Sequence, residues 1–256
     1  MKQLIEILKG YKRFIFNDLF SYLAFEIYYK RMIEISSMTN NLAEGVTAVI
    51  TSCARPDKLN IMLRSFKKYN TFTIAKYIFV EDAGCEKSVE IARSILIDAP
   101  LEILFHETNK GQLNSIDEAY KKVLTKYVFH LEEDWEFFES GFIEYSLSIM
   151  QNNPEIVSLS LRPHDDWGKW AFEKKNEFCI FNISSNFIWQ GISINPGLYD
   201  ITKYHKIGCY AKFKKERIIV QAYRKLGYKG AISDRPSGFV IHTGENDTTR
   251  RKYKVA

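Results

Sequence analysis

Between residues 45 and 161 the chain repeats one unit: a short apolar run, a polar turn, then a stretch with helical spacing. Val46 to Thr51 is a β-branched run suited to a buried strand. Pro56 and Asp57 open a helix that carries Leu59, Met62, Leu63 and Phe66 on one face. Tyr77 to Val80, Leu101 to Phe105 and Tyr127 to Leu131 read as three further strands. The stretches Ser88 to Ile97 and Asn114 to Leu124 read as helices, the second with Ile116, Ala119, Tyr120 and Val123 inward. This alternation predicts an α/β fold with a mainly parallel central sheet and helices on both faces. Past residue 156 the rhythm changes. Val157 to Leu161 alternates like a half-exposed strand, and Phe178 to Ile183 and Phe187 to Ile194 read as further strands. Glu216 to Leu226 reads as a helix stopped by Gly227.

The segment before this unit, residues 1–44, reads differently. Leu4, Leu8, Tyr11 and Ile15 repeat at helical spacing, and Asn17 is placed to cap a second helix running toward Ile35. Ser36 to Asn41 then breaks the pattern like a linker. The expectation is an N-terminal helical segment over 1–44 docked on a domain over 45–256. That domain divides into a ligand-binding half, 45–161, and a second half with the tail, 162–256. No apolar run reaches 18 residues, and Glu6, Lys9, Lys12 and Arg13 interrupt any secretory core, so the expected compartment is the cytosol. The net charge of +5 does not call for nucleic acid. Basic residues do gather at Lys9 to Arg13 and Arg250 to Lys254, which suits either peripheral contact with an anionic inner membrane face or a solvated surface and tail. Cys53, Cys85, Cys179 and Cys209 form no CxxC pair, so neither a zinc site nor a disulfide framework is indicated. The oligomeric state is not legible.

In an open parallel sheet, ligands bind beyond the carboxyl ends of the strands. Polar residues gather at each of those positions: Thr51, Ser52 and Arg55 after the first, Glu81 and Asp82 after the second, Asn109 and Gly111 after the third. After the fourth, Glu132, Glu133 and Asp134 follow in a row. Three adjacent carboxylates repel one another, and a divalent cation offsets that repulsion. Mg2+ and Mn2+ favour oxygen ligands and bind through one or two carboxylates plus substrate phosphates. The alternative is an acidic turn leading into a helix near Phe138, where negative charge suits the helix dipole.

The segment His130 to Phe138 resembles the acidic metal-binding motif of GT-A glycosyltransferases. It is similar to the Asp-x-Asp form of the inverting family 2, and closer to the Glu-Glu-Asp form of certain N-acetylglucosaminyltransferases. Val46 to Asp57 resembles the opening strand and loop that hold the nucleotide base, and Val80 to Gly84 resembles the segment whose acids read base and ribose. Asn109 to Gly111, with Asn114 after it, is similar to the stretch lining the donor pocket. The resemblance covers roughly residues 46 to 145. It implies a Rossmann-like GT-A fold and a nucleotide-sugar donor, with uridine diphosphate as the expected carrier. It further implies Mn2+ or Mg2+ on Asp134, with Glu132 near the ribose or the waters of the metal.

In inverting members a carboxylate takes the proton of the acceptor hydroxyl as that oxygen attacks the anomeric carbon. The family places it at a helix start about a dozen residues before a Gly-aromatic pair, and Glu216 stands so before Gly227 and Tyr228. The alternative is a glutamate that only complements a helix dipole. His242 is the candidate second metal ligand, against a structural histidine, and Arg250 and Arg251 could clamp phosphates. Trp189 and Gln190 fall on the stretch resembling the acceptor side, with core packing as the alternative for Trp189. The acidic run His164 to Asp166 reads as a solvated turn or an acceptor contact. The resemblance implies an inverting hexosyl- or N-acetylhexosaminyltransferase acting on a glycan or lipid-linked acceptor in cell-surface polysaccharide or glycoconjugate synthesis. A sugar nucleotidyltransferase is the rival, but the loop Ser52 to Pro56 lacks the glycines that cradle a triphosphate. The other rival is a non-catalytic carbohydrate-binding protein with a degenerate site. The enzymatic reading requires acids that face a cleft and are not merely neutralised by neighbouring lysines and arginines.

Overall fold

A computed structural model describes residues 42–167, 172–181 and 192–244. In chain order these form β1 (Ala43–Ser52), α1 (Pro56–Tyr69), β2 (Lys76–Glu81), α2 (Glu86–Ile95), β3 (Leu101–Phe105), α3 (Gln112–Tyr120), β4 (Thr125–Glu132) and β5 (Trp135–Phe137). There follow α4 (Phe142–Asn152), β6 (Ile156–Ser160), β7 (Phe172–Lys174), β8 (Phe178–Phe181), β9 (Gly197–Asp200), α5 (Ile201–Ile207), α6 (Glu216–Lys225), β10 (Lys229–Ser233) and β11 (Val240–His242). Nine strands make one sheet in the order β3-β2-β1-β4-β9-β6-β10-β8-β7, and β11 pairs with β5 in a separate ribbon. The pairings set only β9 and β8 against the direction of the other seven, so the sheet is mainly parallel as the alternation predicts.

Alternating side chains sort into two cores because successive residues of a strand face opposite sides. Val46, Ala48 and Ile50 of β1 and Tyr127, Phe129 and Leu131 of β4 pack with α1, α2 and α4. Val49 and Val128 pack on the other face with α3, α5 and α6. Leu59, Met62, Leu63 and Phe66, the expected inner stripe of α1, are buried, as are Ile116, Ala119, Tyr120 and Val123 around α3.

Four expectations change. β1 begins at Ala43, inside the stretch read as helical, because Ala43 N–H donates to Leu124 O; residues 1–41 lie outside the described residues. The acidic run does not open a helix near Phe138. It turns into β5, which β11 pairs in antiparallel register, and the next helix starts at Phe142. β6 is buried throughout rather than half-exposed, because both its faces are covered: Ile156 and Leu159 join the core with α4, and Val157 joins the core with α5 and α6. Ile192 to Ile194 lies outside any strand, and β9 follows at Gly197–Asp200, a strand not expected from the sequence pattern. Gly197 permits that insertion: a Cβ there would fall 2.3 Å from Leu159 O, so no larger residue seats β9 against β6.

Most of β4 is apolar, and His130 is its buried exception. Its ring faces Tyr120 and Tyr199 edge-on, and burial pushes its pKa down to about 3 from 6.5. Below pH 6.5 the unfolded chain therefore takes a proton that the folded chain refuses. The stability due to neutral His130 is complete above that pH and is lost as pH falls toward 3. Between pH 6.5 and 4.5 the wild type should lose about 2 to 3 kcal/mol through this one group. His130→Phe should flatten the acid limb of unfolding free energy against pH by that amount. An unchanged limb in urea titrations would show that His130 does not carry it.

Candidate functional site

The carboxyl ends of β1, β2 and β4 lie side by side, with Ser52 opposite Glu81 and Thr51 opposite Glu132. The loops leaving β1 and β3 are tied to the acids at the end of β2. Glu81 Oε1 accepts from Ala54 N–H and Ala83 N–H, both at 3.0 Å. The first of these holds Ala54 in the left-handed region, at φ 52°, a backbone state that non-glycine residues seldom adopt. Asp82 accepts from Lys110 N–H at 2.8 Å and Gly111 N–H at 2.9 Å, and His106 Nδ1 lies 2.8 Å from it. Glu81 and Asp82, expected to meet base and ribose, are thus buried and directed at protein amides. Within this pair of strands, Glu81 Oε2 and the Ser52 hydroxyl are buried and find no partner among the described residues. Asn109 donates to Cys53 Sγ and Asn114 donates to Lys110 O. Thr51 donates weakly to Leu131 O, at 3.4 Å. Burial foremost pushes the Cys53 thiol up to about 11, so it is no nucleophile at neutral pH.

The three consecutive acids have three environments. Glu133 is buried and accepts from Cys53 N–H at 3.2 Å and Arg55 Nε–H at 2.7 Å. Asp134 Oδ2 lies 2.9 Å from Arg55 Nη1 and 3.4 Å from His242 Nε2. Glu132 is held by neutral donors: it accepts from Gln112 Nε2 at 2.5 Å, Asn195 Nδ2 at 3.1 Å and Trp135 Nε1 at 3.3 Å. Burial, and then the charge of Asp134, pushes Glu132 up to about 8.

Glu216 reaches the same place from the far half of the chain. Its Oε1 accepts from Ile194 N–H at 2.8 Å, and its charge is among those that raise Glu132. The next residue, Asn195, joins the halves: it donates to Glu132 and accepts from Arg162 Nη1 at 2.9 Å, while Arg162 lies over the Trp135 ring at 5.1 Å. Reading the sequence did not single out Gln112, Asn195 or Arg162. The only signal was position, since Gln112 opens the helix after Gly111 and Asn195 precedes Pro196. Trp189, Gln190, Arg250 and Arg251 lie outside the described residues. His164 to Asp166 holds no acid cluster to rival the site: Asp166 pairs with Arg162 and His164 Nε2 lies 2.7 Å from Ser233 O.

His242 arrives by register, opposite Trp135 in the β5–β11 ribbon. Beyond it Thr243 N–H donates to Asp134 O at 2.8 Å. A Cβ on Gly244 would fall 2.5 Å from Asp134 Oδ2 and 3.0 Å from His242 Nε2, so glycine leaves clear the space that both atoms face. A carboxylate oxygen beside an imidazole nitrogen suits Mn2+, and with phosphates and waters as further ligands it also suits Mg2+. No group of three or more His, Cys, Asp or Glu placed to hold a metal occurs among the described residues, so these two can be only part of a coordination shell. No helix among those residues is long and apolar enough to cross a membrane.

The family model described as "Glycosyl transferase family 2" matches residues 47–221. A search of curated proteins found no match. Among solved structures, the chain resembles the mannosyltransferase PcManGT from Pyrobaculum calidifontis, a complex with GDP-Man and Mn2+. The TM-score is 0.60 at 9% identity, over 91% of this chain and 68% of that one. It also resembles S. aureus TarS, with a TM-score of 0.58 at 13% identity over 78% of this chain and 36% of that one. GalNAc-T7 with UDP, GalNAc and Mn2+ gives 0.58 at 13% identity, over 78% and 43%. The chain therefore spans about two thirds of the first structure and less than half of the other two. At such identities the likeness concerns the fold, which is the α/β arrangement expected from the alternation of strands and helices.

Proposed function

The chain belongs to glycosyl transferase family 2, and on that premise we propose that it moves a sugar from a nucleoside diphosphate sugar, UDP-linked, to an acceptor hydroxyl with inversion at the anomeric carbon. One observation carries the reading: Glu216, from the second half of the chain, is held among the strand-end acids beside Glu132, while Asp134 and His242 face one cleared space. Bound on Asp134 and His242, Mn2+ or Mg2+ would supply Lewis-acid stabilisation of the leaving diphosphate. Glu216 takes the acceptor proton as the acceptor oxygen bonds to the anomeric carbon and the bond from that carbon to the diphosphate oxygen breaks. Ile194 N–H holds Oε1 of Glu216 in place at 2.8 Å. Gln112 and Asn195 hold Glu132 by its two oxygens at the edge of the donor space.

The hexosyl or N-acetylhexosaminyl specificity, and a glycan or lipid-linked acceptor in surface polysaccharide or glycoconjugate synthesis, are parts of the same proposal. So are a cytosolic location and contact of the basic chain ends with the inner membrane face, on the charge pattern alone. One observation favours the second reading, a degenerate carbohydrate-binding protein: Arg55 already neutralises Glu133 and Asp134.

A panel of nucleotide sugars with and without Mn2+ separates the two. One donor at a hundredfold excess over its Kd should raise the melting temperature by about 5 to 10 °C only with Mn2+, and then be slowly hydrolysed. Binding without turnover of any donor would favour the binding protein, and no shift with any donor would remove both.

A further inference from the structure

Arg55 is built into the acidic motif from both sides. It is the residue before α1, its carbonyl accepts from Leu59 N–H, and Pro56 after it starts the helix, so its backbone is fixed. Its Nε is anchored on Glu133 Oε1, an oxygen that also takes Cys53 N–H. Its Nη1 reaches past Glu133 to Asp134 Oδ2 at 2.9 Å. Burial works against a charge here, yet the two carboxylates outweigh it and raise the guanidinium pKa above its ordinary value.

The contact to Asp134 falls on the oxygen that faces His242 and the space kept open by Gly244. A divalent ion bound to Asp134 Oδ2 sits about 2 Å from it, where its charge repels the guanidinium held on the same oxygen. Only the Nη end of Arg55 is involved, so it can leave Asp134 while Nε stays on Glu133. A guanidinium so freed beside a diphosphate has the fork geometry that such oxygens accept.

We propose that Arg55 is a resident counter-cation that pivots on Glu133, leaving Asp134 for the donor diphosphate when metal enters, so that metal and diphosphate bind together and metal alone binds poorly. This rests on the function proposed above. It gives the pairing of Arg55 a role in an active enzyme, where a degenerate site would hold it permanently.

The test is Mn2+ binding to the full chain, read from the electron paramagnetic resonance of free Mn2+ with and without UDP. Removing Arg55 alone would strand Glu133, a buried charge, so the main variant is Arg55→Gln with Glu133→Gln, which keeps the net charge. Without UDP this double variant should bind Mn2+ at least tenfold more tightly than wild type. UDP should tighten Mn2+ at least tenfold in wild type and much less in the variant. Equal Mn2+ affinity of variant and wild type without UDP, with UDP coupling intact in both, would overturn the role of Arg55 and leave the metal reading standing. No Mn2+ binding by any form even with UDP would end both. If circular dichroism shows the double variant unfolded, Arg55→Lys decides: an ammonium is a point charge without the fixed fork that reaches Asp134 from Glu133, so Mn2+ alone should bind several-fold tighter, and an unchanged affinity would overturn the proposal.

Discussion

Alanine at position 134 should abolish metal-dependent sugar transfer, lowering kcat/KM at least about a thousandfold, or about 4 kcal/mol of transition-state stabilisation. The side chain is the point where Arg55, His242 and the space under Gly244 converge. The backbone of Asp134 serves a separate purpose, because its carbonyl accepts from Thr243 N–H at 2.8 Å and from the Thr243 hydroxyl at 3.0 Å. Those bonds survive in Asp134→Ala, so the ribbon that delivers His242 stays in place and the loss reports side-chain chemistry. Initial rates with the matched donor, with and without EDTA, are the measurement. A variant that kept the wild-type rate in EDTA would show that the site lies elsewhere.

Glu216→Gln should lower kcat by about a hundredfold to ten-thousandfold and leave the KM for donor nearly unchanged. The amide oxygen of glutamine can still accept from Ile194 N–H, so the segment bearing Asn195 keeps its place. The ability to take a proton is gone, together with one of the charges that raise Glu132. If Glu216 served simply as a first-turn acid on α6, the same change would cost about 0.3 to 1 kcal/mol of stability and leave turnover intact. Comparing the kcat ratio with the shift in urea midpoint tells the two apart.

The stretch from β1 to β4 was legible because its information is local. β1 to β4 are short apolar runs, their helices carry apolar residues at helical spacing, and the acids sit where strands end. The other half depends on contacts distant in sequence. Nothing in Gly-Leu-Tyr-Asp announces that β9 inserts antiparallel between β4 and β6; what permits it is a glycine beside Leu159 O. The full burial of β6 follows from helices distant in sequence that cover both its faces. Within the site, residue types and order suggested which acids matter but not their different environments. Asp82 faces amides because the loop at Lys110 and Gly111 folds back over β2, and Glu132 is met by side chains from α3 and from Asn195. Such partners arise only when the chain is closed on itself.

The bond between Thr243 and Asp134 joins residues 109 apart in the chain. Synthesis runs from the N-terminus, so β1 to β4 leave the ribosome before β11 exists. A nascent chain thus has its acids in place but neither the imidazole nor the backbone clamp that completes their surroundings. On the function proposed above, the site is complete only when the ribbon seats on β5, and a modification or fusion that hinders that contact would yield a protein without transferase activity.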